Sequence, residues 1–89
     1  MSERVVPWDS GFESLLRAYL PFLAPSTAIE PATRLSLLGL DSLGTVNLMV
    51  DLEDAYRIEF PDGAIGRALE ADASWLWTTV RELSTGRTK

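Results

Sequence analysis

The hydroxyl of Ser42 is the side chain in this sequence best placed to do chemistry. It lies in Gly39-Leu40-Asp41-Ser42-Leu43, where a loop turns into an amphipathic helix. Three uses are open to it there: a hydrolytic nucleophile, a helix cap, or an attachment point for a covalently bound group. A nucleophile needs a base to take its proton, and the chain contains no histidine. Leu40 replaces the first glycine of a G-x-S-x-G elbow, and the sole lysine, Lys89, is the last residue. An attachment point has no such requirement, because the enzyme that adds the group brings its own base. Taken alone, an Asp-Ser pair at a helix start reads most simply as a cap.

Other chemistries find less support. Asp51, Glu53 and Asp54 cluster inside a helix, without the glycine and alternating oxygen ligands of a calcium loop, so they read as a solvated face and no metal site is expected. The absence of cysteine removes disulfides and thiolate sites. The net charge is -5, which argues against nucleic acid or an anionic membrane as partner and favours basic partners. Met1 to Pro7 lacks a signal-peptide apolar run, and no segment approaches the roughly 20 apolar residues that span a bilayer. A cytoplasmic setting is therefore expected.

With 89 residues, of which 46% are hydrophobic and 24% charged, the chain is one ordinary globular domain. Its core is expected over about residues 10–84, with flexible ends at 1–8 and 85–89. Ser10 and Glu13 read as a capping box, followed by Phe12, Leu15, Leu16, Tyr19, Leu20 and Leu23 at helical spacing. Pro21 should end or kink this helix near Leu20, since it lacks an amide hydrogen and clashes with the preceding turn. A long ordered loop from Ala24 to Leu38 follows, pinned by Leu35, Leu37 and Leu38. After the second helix, Pro61-Asp62-Gly63 signals a turn, and Ala64 to Ala71 suits a short helix around Ile65, Ala68 and Leu69. Ser74 can cap a last helix with Leu76, Val80 and Leu83 on one face, Trp75 in the core and Trp77 half exposed, before the tail from Gly86 to Lys89 frays.

The second helix has two apolar faces. At about 100° per residue from Leu43, the residues Ala55, Leu48, Leu52, Thr45, Tyr56 and Met49 fall between about 120° and 240°, one continuous core face. Leu43, Val46 and Val50 fall between about 300° and 360°, among Asp54, Asn47, Arg57 and Glu53. A domain this small has little room for a central helix, so one stripe should face a partner. The plainer alternative is that the loop from Ala24 to Leu38 folds over Leu43 and Val46.

Asp41-Ser42-Leu43 and the run from Gly44 to Pro61 resemble, without a gap, the second helix of acyl and peptidyl carrier proteins. The resemblance implies an all-α, four-helix bundle with three long helices and one short. It implies that Ser42 carries a covalent 4'-phosphopantetheine, with Asp41 and Leu43 beside it. Asp41 then both caps the helix and is read by the phosphopantetheinyl transferase. Leu43, Val46, Val50 and Asp54 would dock the partners: that transferase, an adenylating or acyl-loading enzyme, and condensing or tailoring enzymes. The protein would be a monomer without catalysis of its own. Gly44 and Asn47 stand where fatty-acid-type carriers usually have carboxylates, and the family does not usually carry a proline at the position of Pro21. The missing carboxylates at Gly44 and Asn47 favour a stand-alone carrier of polyketide or nonribosomal peptide biosynthesis over one of fatty-acid synthesis, and Ser74-Trp75-Leu76-Trp77 leans toward peptide-forming systems. A competing class is an adaptor of the same fold whose serine is never modified.

Overall fold

Asp9, not Ser10, starts the first helix. In the computed structural model, which describes residues 6–86, α1 spans Ser10–Ala18 and the Asp9 carboxylate accepts the Phe12 amide at 2.8 Å. A charged carboxylate satisfies a free amide and opposes the helix dipole at once, so it outcompetes the neighbouring hydroxyl. Glu13 is thereby released from the expected capping box. Its carboxylate accepts the Trp8 indole N–H at 2.9 Å and pairs with Arg17 at 3.0 Å. Trp8 is buried, so the core begins earlier than residue 10. The expected flexibility at 1–5 and 87–89 lies outside the described residues.

The proline limit on α1 holds. The helix stops at Ala18, three residues before Pro21, and Tyr19 closes it. The connection to the next helix is ordered by three buried anchors, Ile29, Leu35 and Leu40. Leu38 is partly buried, but Leu37 is 70% exposed and pins nothing. Leu35–Leu38 winds into a 3-10 turn, in which neighbouring side chains diverge by about 120°, so not all three leucines can point inward. The Leu35 amide donates to the Ala71 carbonyl at 3.1 Å, and Ser74 donates to the Pro31 carbonyl at 3.0 Å, fastening the connection to the far end of the chain.

The second helix, α2, spans Ser42–Tyr56 and buries Thr45, Leu48, Met49 and Leu52. Tyr56 is half-buried, while Ala55, at the edge of the expected face, is exposed. Two phenol-to-carboxylate bonds tie α2 to α1: Tyr19 donates to Asp51, and Tyr56 donates to the capping Asp9 at 2.8 Å. The bond to Asp51, then burial, raises the Tyr19 pKa; burial, then the bond to Asp9, raises that of Tyr56. Both bonds contribute fully below the ordinary tyrosine value of 10.0 and are lost only as pH rises through the higher folded values.

The short helix α3 covers Ala64–Ala68, ending before the expected Ala71, and buries Ala64 and Ala68. Leu69 is left 37% exposed. The last helix, α4, spans Ala73–Gly86, and its cap is Asp72, whose carboxylate accepts the Trp75 amide at 2.8 Å. Ser74 is therefore inside the helix rather than capping it. Leu76 and Val80 are buried and Leu83 partly so, as expected. The two tryptophans exchange their expected places. Ala73, Leu76 and Val80 define the buried face; Trp77 lies next to it, whereas Trp75 lies farther round the helix and is only partly buried against the core. The Trp77 ring meets Phe12 at 4.9 Å and Tyr56 at 6.1 Å, both edge-on. The result is a four-helix bundle whose core is lined from every element.

Two substitutions test this packing by urea denaturation. Leu52 has no exposed surface, so Leu52→Ala should lose about 2 to 5 kcal/mol through lost transfer energy and a cavity; an unchanged midpoint would remove it from the core. Gly39 sits at φ 101° with Pro21 directly against it, so Gly39→Ala should cost about 1 to 2 kcal/mol for the left-handed backbone alone. A stability equal to that of the parent would contradict that turn.

Candidate functional site

Gly39 ends the 3-10 turn with φ 101°, a left-handed conformation open to glycine without strain. A Cβ there would stand 2.8 Å from the Pro21 Cγ, so the residue is needed for close approach as well as for its backbone angle. Leu40 then buries its side chain and pulls the chain inward, and Asp41 returns to the surface in an extended conformation. Its carboxylate accepts the Gly44 amide at 2.7 Å. Its carbonyl accepts both the amide and the hydroxyl of the buried Thr45, each at 2.8 Å.

With the cap taken by Asp41, Ser42 becomes the first residue of α2, and it is exposed. Among the described residues its hydroxyl has no hydrogen-bond partner, and neither do the backbone amides of Ser42 and Leu43. A free hydroxyl beside unsatisfied amides at the positive end of a 15-residue helix suits a phosphodiester. The helix end favours the anion by about 0.3 to 1 kcal/mol, too little to capture free phosphate but enough to accommodate one covalently attached.

Leu43 is 69% exposed, Val46 44% and Val50 54%. The connection from residue 24 to 38 therefore does not cover this stripe. Asp54 is exposed one turn beyond Val50 on the same side of the helix. Gly44 fits this surface for a local reason: a Cβ would stand 3.1 Å from the capping Asp41 oxygen and 3.2 Å from Leu40. Beside the stripe, Val46, Met49, Val50, Phe60 and Ile65 line an open groove of about 340 Å³ that leads to the turn after α2. The acidic cluster is otherwise engaged: Asp51 accepts from Tyr19, and Glu53 accepts the Phe60 amide at 2.9 Å. Among the described residues no cluster of three carboxylates could hold a metal ion, and no helix is long and apolar enough to cross a membrane.

One residue near the serine escapes a reading by periodicity. Phe22 is 76% exposed, and its amide donates to the Leu38 carbonyl at 3.0 Å. Its signal in the sequence is position: an aromatic residue directly after the helix-ending proline, outside the periodic apolar set of α1.

The family described as phosphopantetheine attachment site matches residues 12–85. The chain is also similar to the aminoacyl carrier protein of Agrobacterium fabrum (strain C58 / ATCC 33970), with 33% identity over 63 residues, covering 71% of this chain and 76% of that protein. Proteins of this kind are generally not catalysts; they are handled by phosphopantetheinyl transferases and by enzymes that load and use acyl groups. The family match runs from the first turn of α1 nearly to the end of α4 and takes in the whole Asp41-capped junction. The chain thus belongs to the phosphopantetheine-binding carrier proteins, with a site for covalent attachment of 4'-phosphopantetheine.

Proposed function

We propose that Ser42 is the attachment residue and that the protein carries aminoacyl or related acyl intermediates. The observation that carries this reading is the exposed Ser42 hydroxyl, without a hydrogen-bond partner among the described residues, at the first position of α2 and inside the matched region. In the attachment step the Ser42 Oγ forms a bond to the β-phosphorus of coenzyme A while the pyrophosphate bond breaks. Adenosine 3',5'-bisphosphate leaves, and the serine proton passes to a base on the transferase. Once bound, the arm supplies a thiol that this cysteine-free chain lacks and holds cargo as a thioester.

The chain's own residues position that group. Asp41 holds the helix end in place and leaves the serine free; Leu43, Val46, Val50 and Asp54 form the surface that loading and transfer enzymes contact. The name of the Agrobacterium relative favours an aminoacyl cargo, and the uncharged Gly44 and Asn47 favour a carrier of peptide or polyketide assembly over one of fatty-acid synthesis. In this reading the protein works as a monomer in the cytoplasm.

Incubation with coenzyme A, magnesium and a broad-specificity phosphopantetheinyl transferase should add the mass of one phosphopantetheine to the parent and nothing to Ser42→Ala. A folded, initially unmodified protein that gains no mass would point instead to an adaptor that docks partners without modification. Val46→Asp should slow loading about tenfold or more while leaving the helical circular dichroism signal intact. Loading at the parental rate would remove Val46 from the docking surface.

A further inference from the structure

Phe22 is a large apolar side chain held in water at a fixed place. Pro21 and the Phe22 ring lie against Gly39: a Cβ on that glycine would come within 2.8 Å of Pro21 and 3.2 Å of the Phe22 Cγ. The bond from the Phe22 amide to Leu38 secures the same junction from the backbone side. Gly39 precedes Ser42 by three residues, a stretch that spans at most about 11 Å, which places the Phe22 ring within roughly 16 Å of the Ser42 backbone.

That bound puts the ring within reach of an enzyme docked over the serine. An enzyme that reaches the Ser42 hydroxyl through an interface of ordinary size buries about 800 Å² on the carrier, a disc of about 16 Å radius. A surface of that size centred on the serine is wide enough to take in Phe22 on the loop side together with Leu43 and Val46 on the helix side. The charge pattern gives the chemistry of the contact. Between residues 18 and 29, and again between 35 and 50, Asp41 is the sole charged residue of a chain with 13 acidic ones. Its carboxylate is committed to the Gly44 amide. The ring's own stretch offers a basic pocket nothing to pair with; the acids of this surface, Asp41 and Asp54, lie at the serine and along α2.

We infer that Phe22 is an anchor for the phosphopantetheinyl transferase, seated in an apolar, uncharged pocket of that enzyme. The inference rests on Ser42 as the attachment residue. Pro21 and Gly39 then act as positioning residues that present the ring.

The test follows mass gain at increasing carrier concentration, with the parent, Phe22→Ala, Phe22→Leu and Gly39→Ala compared under the same transferase. Phe22→Ala should raise KM tenfold or more with kcat little changed, as loss of binding common to ground and transition states requires. Phe22→Leu should recover most of the loss. Gly39→Ala, whose ring is intact but displaced, should fall between them. The ratio of variant to parent KM should be similar at low and high salt, because Phe22 itself forms no ion pair. Melting temperatures identify any variant that is simply unfolded; Phe22→Ala removes a mostly solvated ring and should melt like the parent.

A parental KM in Phe22→Ala would overturn the proposal. Contacts by NMR between the Phe22 ring and the attached arm, with loading unimpaired, would assign the ring to the arm instead. Self-association of the parent that Phe22→Ala abolishes would assign it to a second copy. Failure of the parent itself to gain mass at Ser42 would remove the attachment reading, and this surface with it.

Discussion

The bond from the Gly44 amide to the Asp41 carboxylate decides what the serine can do. A helix needs something to satisfy its first amides, and a serine at its start is a good candidate for the task. Because the carboxylate one residue earlier takes it, the Ser42 hydroxyl has no structural duty. The same competition occurs at α1, where Asp9 caps in preference to Ser10, and at α4, where Asp72 caps in preference to Ser74. In each case charge adds a favourable interaction with the helix dipole to the hydrogen bond itself. What separates Ser42 from the other two serines is therefore its surroundings: an apolar stripe running down one side and the tight Pro21–Gly39 turn on the other.

That turn links two departures that look unrelated in the sequence. Pro21 ends α1, and Gly39 ends the 3-10 turn, yet the two residues touch and bring both ends of the long connection together. The connection is held elsewhere by Ile29 and Leu35 in the core and by backbone bonds to the α3–α4 segment. The support beneath the serine thus comes from residues distant in sequence, while the serine itself touches little. An exposed site on a well-supported backbone is suited to being acted upon by other enzymes.

The sequence made the long features legible and the short ones less so. The two faces of α2 could be separated by arithmetic because fifteen helical residues sample the turn many times, and Leu48, Leu52, Val46 and Val50 all lie where their angles put them. Ala55 failed at the edge of the face, where a small rotation decides exposure. The tryptophans exchange places because Ala73 joins Leu76 and Val80 on the buried face; a buried alanine carries as much information about a face as a leucine, but little hydrophobic weight. Leu37 departs from the expected inward position because Leu35–Leu38 forms a 3-10 turn, whose apolar side chains cannot all face the core. The Asp41-Ser42 junction was legible as a motif. The place of Phe22 was not, because it depends on contact with a glycine seventeen positions away in the chain. The net charge also suggested a basic partner, whereas the segments around the serine are nearly devoid of charge.

The core side of α2 is fixed by Thr45, Leu48, Met49, Leu52 and the two tyrosine bonds, while Leu43, Val46 and Val50 on the other side touch solvent. One helix thus holds two nearly independent sets of instructions. Substitutions on the outer set can drift, or be redesigned, without crossing the stability threshold that constrains the inner set. A carrier built this way can change the face it shows to solvent without loosening its core. Its scaffold supplies a thermodynamic reserve that such changes do not consume.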